Sequence, residues 1–261
     1  MTTFDAIIPA GGSIDPEFAA RVGTTSKALI PLDGVTILRR TIEALRETGR
    51  VQRVVVVGSP EVLGHADSAL ADERVEAGTS GPDTIMRGLK HLAAKPNPPQ
   101  KVLIVTADLP FVTGDVFRRF LDLCPTDRDV CVPLITKTEY QERFPGSGAT
   151  FVPLKDETWT AGCAYVMSVA AFQKALPRLE RLFQNRKSKV GMIKLLGFGF
   201  LIKFVTKSLT IKDIEKKVGH ILNASGAPVL RAPAELAYDI DFLDDYEFAL
   251  QHLSESHARV Q

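Results

Sequence analysis

Apolar residues fall in short unbroken runs separated by stretches with helical spacing, and this alternation predicts an α/β architecture. The run Ala6-Ile7-Ile8 stops at Pro9-Ala10-Gly11-Gly12, a buried strand opening into a glycine loop. Ile37, Leu38, Thr41, Ile42 and Leu45 recur on one helix face, Gly49 is placed to end that helix, and Val54 to Val57 is a β-branched run. Strand, helix, strand is the unit of a parallel sheet. A further helix is expected from Asp83 to Ala94 on Ile85, Met86, Leu89 and Leu92, closed by the stiff Lys95-Pro96-Asn97-Pro98-Pro99. Val102-Leu103-Ile104-Val105 is apolar on both faces, as a central strand should be, and empties into Thr106-Ala107-Asp108-Leu109-Pro110.

Beyond the strand Val130 to Ile135 the pattern loosens. Pro145-Gly146-Ser147-Gly148 is a turn, and Thr160 to Met167 reads as one more strand. Thr210 caps a helix whose apolar face is Ile211, Ile214, Val218, Ile221 and Leu222, with Asp213 in its first turn. The chain closes with Tyr238-Asp239-Ile240-Asp241, expected as a strand, and a helix through Tyr246, Phe248, Ala249, Leu250 and Leu253. The expectation is a single domain over 1–261, with a core 1–132, an insertion 133–225 and a C-terminal strand and helix 226–261.

A chain of 261 residues, 45% hydrophobic and 24% charged, has material for a sizeable core, which excludes disorder. Lys and Arg number 32 against 31 Asp and Glu, a net +1, so no global field points to nucleic acid or an anionic membrane. Any anion site must be local. Cys124, Cys131 and Cys163 are odd in number and too widely spaced for a C-x-x-C pair, which suits reduced thiols. The opening residues lack a basic region followed by an apolar run, and the chain reads as cytoplasmic. Val190 to Val205 is interrupted by Lys194 and Lys203 and is shorter than the ~20 apolar residues of a membrane span. Met192 to Phe204 fits a core helix broken at Gly197-Phe198-Gly199, a lid, or a contact in a homodimer. With neither H-E-x-x-H, nor G-x-x-x-x-G-K-(S/T), nor G-x-S-x-G, zinc catalysis, P-loop hydrolysis and serine hydrolysis have no support.

Two features carry chemistry. Gly11-Gly12-Ser13 exposes backbone N–H groups with no Cβ in the way, a nest that suits phosphate oxygens, although a lone Gly-Gly is more often an ordinary turn. Arg21 and Lys27 follow among small residues and supply the cations a polyphosphate needs. Asp108 sits at the carboxyl end of a strand, where open α/β sheets bind ligands; alone, it reads equally as a helix N-cap.

The order Ile8-Pro9-Ala10-Gly11-Gly12, Arg21-Val22-Gly23, Lys27-Ala28-Leu29 and Leu32-Asp33-Gly34-Val35-Thr36-Ile37-Leu38 resembles the nucleotidyltransferases of the glycosyltransferase-A-like fold. That superfamily holds the MobA-like, sugar-phosphate and methylerythritol-phosphate nucleotidyltransferases. The resemblance implies a Rossmann-like three-layer α/β/α fold with a mainly parallel mixed sheet and an inserted acceptor subregion. It also implies Mg²⁺-dependent transfer of a nucleoside monophosphate from an NTP to a phosphorylated small-molecule acceptor. Ala10, Gly11, Gly12, Ser13 and Arg21 would hold the triphosphate, and Lys27 would neutralise charge at the α-phosphate. Asp108 matches the family's Mg²⁺ ligand. Tyr238-Asp239-Ile240-Asp241-Phe242-Leu243-Asp244-Asp245 is similar to the late acidic motif, with Asp241 as second ligand, Asp239 as helper, and Asp244 and Asp245 as solvated helix-start charges.

The stretch from Glu76 to Leu89, through Gly78, is similar to the cytidylyltransferases' R-x-x-S-(V/I)-x-x-G-L, with Gly81 in the arginine's place and Thr84 in the serine's, and it points to CTP. Two departures stand out: Ser13 to Ala20 lengthens the glycine loop, and Phe242-Leu243 replaces the usual Thr-Pro. For the acceptor, Arg186 and Lys187 in a basic run, and Thr160 and Gly162 beside Trp159, are the candidates. Two rivals remain. A glycosyltransferase would carry Asp-x-Asp after the central strand, where Thr106-Ala107-Asp108 lacks the first aspartate; a nucleotide-binding regulatory module would bind without turnover.

Overall fold

The computed structural model describes residues 3–185 and 198–258. Its centre is a nine-stranded sheet whose first half is parallel. β1 (Phe4–Ala10) lies between β4 (Val51–Gly58) and β6 (Lys101–Val105), and β5 (Glu73–Glu76) flanks β4, all running the same way. The short β2 (Pro31–Leu32) and β3 (Val35–Thr36) form a separate hairpin.

Both faces of this half are covered, which is why its strands are unbroken apolar runs. Ala6, Ile8, Val54, Val56, Leu103 and Val105 point into one core layer with α2 (Ile37–Glu47) and α5 (Gly114–Leu123). Ile7, Val55, Val57, Val102 and Ile104 point into the other, with Met86, Leu89 and Leu92 of α4 (Gly81–Ala93) and Phe172 of α7 (Val169–Asn185). An added Cβ on Gly88 would lie 2.9 Å from both Ile7 Cγ2 and Val57 Cγ2, so α4 sits with its backbone almost on the sheet.

The second half is mixed. β7 (Val130–Thr136) pairs in parallel with β11 (Gly226–Leu230) and antiparallel with β9 (Thr158–Ala161), which carries β8 (Val152–Pro153) on its other edge. β10 (Ala164–Ser168) is antiparallel to both β6 and β7 and wedges between them. The single strand expected over Thr160–Met167 is therefore two. From Ala161 to Val166 the chain advances five residues while its partners on β7 move only three, from Leu134 to Cys131. The excess bulges out at Gly162-Cys163.

Three further segments differ from expectation. Ser13–Ala20 is not an open loop: Pro16–Val22 forms α1, capped by Asp15, which accepts from the Phe18 N–H at 2.9 Å, and closed by Gly23 at φ 78°. Phe18 is buried against Tyr246, ring centroids 5.7 Å apart, and pins this helix to α10 (Leu243–Ala258). Residues 238–241 form no strand and pair with none in the sheet. Phe198–Val205 is a short helix, α8, with Ile202, Phe204 and Val205 exposed, which sets aside a core helix there. The helix expected after Thr210 is α9 (Ile211–Leu222), with a full capping box between Thr210 and Asp213. Among the described residues the remaining α-helices are α3 (Pro60–Gly64) and α6 (Lys137–Arg143). No helix among the described residues is long and apolar enough to cross a membrane.

Candidate active site at the carboxyl ends of the strands

From β1 the chain builds outward through β4 to β5, then returns to place β6 on the other side of β1. The strand order reverses there, and the loops leaving β1 and β6 diverge to open a crevice. Two loops are pressed together at its rim. An added Cβ on Gly11 would lie 3.0 Å from Ala77 Cβ, so only glycine lets the loop after β1 meet the loop after β5. Gly12 and Lys27 are zipped by backbone: the Lys27 N–H donates to the Gly12 carbonyl at 3.1 Å and the Ile14 N–H to the Thr25 carbonyl at 3.0 Å. Ser13 pairs with Ser26 in the same bridge. The Lys27 stem consequently crosses the glycine loop, with Cδ 3.5 Å from where a Gly12 Cβ would stand.

Opposite the glycines, Asp108, Asp239 and Asp241 each offer a carboxylate oxygen, and all three oxygens lie within 4.8 Å of one another. The Lys27 ammonium is among them, hydrogen-bonded to Asp241 and 3.7 Å from Asp108 Oδ2. Burial pushes the Asp108 carboxyl above its ordinary value despite that ammonium. Burial, then the charges of Asp108 and Asp241, pushes Asp239 up to about 6. For Lys27 desolvation works toward the neutral form, but the bond to Asp241 and the attraction of the other carboxylates outweigh it and hold the ammonium charged. Cys163 lies nearby, and burial together with Asp239 and Asp108 raises its thiol to about 12, so it stays protonated. Cys124, Cys131 and Cys163 are all free.

Sequence reasoning missed what positions the late aspartates. The Ile240 N–H donates to the Asp108 carbonyl at 3.0 Å. Tyr238 is buried with its ring 4.9 Å from both Phe111 and Phe144. Asp245, expected as a solvated charge, accepts from the backbone N–H groups of Asp241 at 3.0 Å and Phe242 at 2.8 Å, and so shapes the turn that presents Asp241. The spacing Asp241-x-x-x-Asp245, a carboxylate just inside a helix start, was the available signal.

Other expected residues fall elsewhere. The Thr84 side chain is buried and its hydroxyl accepts from the Gly78 N–H at 3.1 Å, so it fastens the loop after β5; the helix cap is Ser80. Gly78 itself has no room for a Cβ, which would lie 2.1 Å from Asp83 Oδ2. Arg21 is exposed on the last turn of α1 and, among the described residues, makes no ion pair with the aspartates. The Thr160 side chain is buried, and a Cβ on Gly162 would lie 2.8 Å from the Leu236 carbonyl oxygen, so Gly162 packs beneath the segment that leads to Asp239. Arg186 and Lys187 lie outside the described residues.

The donor set suits a hard divalent cation: three carboxylates and, among the described residues, no sulfur or imidazole ligand with them. Asp108 Oδ1 is buried and has no hydrogen-bond partner among the described residues, an orphan that a cation would satisfy.

The glycine loop, the Lys27 stem that crosses it and the clustered carboxylates thus meet at one strand-end crevice of an open α/β sheet. The chain belongs to the family of the MobA-like NTP transferase domain, a family of nucleotidyltransferases, whose model matches residues 6–196. It is similar in structure to a hypothetical transferase from Thermus thermophilus, at 26% identity and TM-score 0.82, covering 94% of this chain and 99% of that one. The 4-diphosphocytidyl-2C-methyl-D-erythritol synthase of Anaerococcus prevotii shares the fold at 12% identity and TM-score 0.58, covering 97% and 99%. In sequence, 128 residues are 32% identical to the 2-C-methyl-D-erythritol 4-phosphate cytidylyltransferase of Klebsiella pneumoniae. That match takes in 47% of this chain and 50% of the relative, so the chain spans half the length of the curated relative it matches.

Proposed function

We propose that the chain transfers a nucleoside monophosphate from an NTP, CTP for preference, to a phosphorylated small-molecule acceptor and releases pyrophosphate. The observation that carries this is the convergence of Gly11, Gly12, Lys27, Asp108, Asp239 and Asp241 at one strand-end crevice. CTP is favoured by the 32% identity to a cytidylyltransferase.

The amides of Gly11, Gly12 and Ser13 bind the triphosphate, and no Cβ bars its approach at either glycine. A phosphate oxygen of the acceptor attacks the α-phosphorus while the bond to the α,β-bridging oxygen breaks, and both electrons leave on pyrophosphate. Lys27, kept cationic by its carboxylate neighbours, stabilises the charge that builds on the α-phosphoryl group. Asp108 and Asp241, with Asp239 beside them, would hold Mg²⁺, which when bound neutralises phosphate charge. The loop fastened by Thr84 and Asp83 offers the Gly78–Thr79 edge to the base. The acceptor supplies the nucleophile, so no side chain needs to form a covalent intermediate.

Pyrophosphate release, measured with and without Mg²⁺ over the four NTPs and a panel of sugar, polyol and terpenoid phosphates, tests the reading. Acceptor-dependent release that is fastest with CTP and abolished by EDTA is expected. Release without any acceptor, or a nucleotidylated enzyme, would contradict it.

A further inference from the structure

Among the described residues, large apolar side chains are exposed singly at Leu70, Leu123, Val218, Leu230 and Phe242, as on most protein surfaces. On α8 they gather instead: Ile202, Phe204 and Val205 stand 47%, 45% and 71% exposed on one eight-residue helix. At 3.6 residues per turn Phe200 and Lys203 share a face, and that face is turned to α9. Both line the cleft between the two helices, and the Lys203 ammonium donates to Asp213 Oδ1 at 2.6 Å. Val205 lies opposite this face, with Ile202 and Phe204 to either side of it. Lys207, at φ 53°, closes the helix by donating its N–H to the Phe204 carbonyl at 3.1 Å, and the chain passes directly to the Thr210 cap of α9.

The charge around this apolar arc has one sign. Residues 186–222 carry nine Lys and Arg against two acids, Asp213 and Glu215, a net +7 on a chain whose total is +1. Lys203 is committed to Asp213. Lys207, Lys212 and Lys216 are exposed and have no acidic partner among the described residues. A second copy of the chain would cover the arc but bring its own lysines against these. A nucleic acid would meet the lysines and leave the arc in water. An anionic bilayer answers both features, because apolar side chains enter the acyl boundary while ammonium groups stay among the lipid phosphates. Eight residues are too few to span it, so the helix would lie on the membrane.

We propose that α8 and the lysines beside it dock the protein on the surface of an anionic lipid bilayer, with Ile202, Phe204 and Val205 at the acyl boundary and Lys207, Lys212 and Lys216 at the lipid phosphates.

The test sediments the full chain with vesicles of phosphatidylcholine and phosphatidylserine at roughly 3:1, and with vesicles of phosphatidylcholine alone. Saturable binding to the anionic vesicles is expected, at least tenfold weaker to the neutral ones, weakened when salt rises from about 0.1 to 0.5 M, and unchanged in Asp108→Asn. Val205→Asp, at an exposed position, is expected to weaken binding at least tenfold with the melting temperature unaltered. The pair Lys212→Ser and Lys216→Ser, which leaves the apolar arc intact, is expected to do the same. Binding to neither vesicle, equal binding to both, or undiminished binding by Val205→Asp would overturn the proposal. So would a dimer in lipid-free solution that Val205→Asp dissolves, or a short DNA duplex bound as tightly as the anionic vesicles.

Discussion

The backbone N–H of Ile240 donates to the carbonyl oxygen of Asp108 at 3.0 Å, stitching the acidic residue after the central strand to the two that arrive near the end of the chain. A side chain on each segment locks the same junction: Phe111 follows Asp108, Tyr238 precedes Asp239, and their rings meet edge to face at 4.9 Å. The geometry of the three carboxylates is therefore a property of packed aromatics, and it should respond to them.

Tyr238→Ala is expected to cost about 4 kcal/mol, the scale of a buried aromatic truncation. Tyr238→Phe keeps the ring and loses only the hydroxyl donated to the Asp245 carbonyl at 2.8 Å, for about 1 kcal/mol. Urea unfolding of both variants measures the difference.

The Asp245 carboxylate accepts from the turn that carries Asp241, while its backbone carbonyl accepts from Tyr238. Asp245→Ala is expected to lower turnover at least tenfold while leaving the melting temperature within a few degrees, and Asp245→Asn, whose amide oxygen still accepts from the Asp241 and Phe242 N–H groups, to restore part of it. Equal turnover in all three proteins would remove Asp245 from the positioning of Asp241.

Asp239 gives a pH dependence of known sign. Its carboxyl is raised to about 6 in the fold, chiefly by burial, against an ordinary value near 3.8. Below about pH 3.8 it is protonated both folded and unfolded. Between the two values the folded state holds the proton more tightly, so stability falls as pH rises, and the loss is complete above about pH 6. In metal-free buffer Asp239→Asn is expected to stabilise the protein by about 3 kcal/mol at pH 8 and by nothing measurable at pH 3.5. Thermal melts at the two pH values check this.

Two glycines of the α4 region separate binding from stability. Gly78→Ala forces Asp83 off its carboxylate position and breaks its bond from the Thr79 N–H, which should raise KM for the nucleotide about tenfold at little cost in stability. Gly88→Ala drives a methyl into Ile7 and Val57 and should cost about 2 kcal/mol with KM unchanged. Steady-state kinetics and unfolding of the pair read the two effects apart.

What the sequence made legible follows from the range of the interactions involved. β1, β4 and β6 were visible because burial on both faces writes an unbroken apolar run, α2 and α4 because one buried stripe repeats at helical spacing, and α9 because Thr210 and Asp213 write a capping box ahead of its spaced apolar residues. Asp108 was visible because a strand runs straight into it. The α1 helix was hidden because it buries only Phe18 and rests otherwise on caps. The division of β9 from β10 was hidden because the bulge at Gly162 is imposed by Leu236, far along the chain. Nor does spacing reveal that the Lys27 ammonium lies among the aspartates: that depends on the bridge that folds Ser26 back onto Ser13.

The most direct measurement is anomalous scattering from crystals grown with a non-hydrolysable CTP analogue and Mn²⁺ in place of Mg²⁺. One manganese peak within roughly 2.2 Å of a carboxylate oxygen of Asp108 and of Asp241, with the analogue's phosphates against the amides of Gly11 to Ser13, is the expected result. Manganese bound away from Asp108, or a triphosphate bound away from the glycine loop, would contradict the assignment.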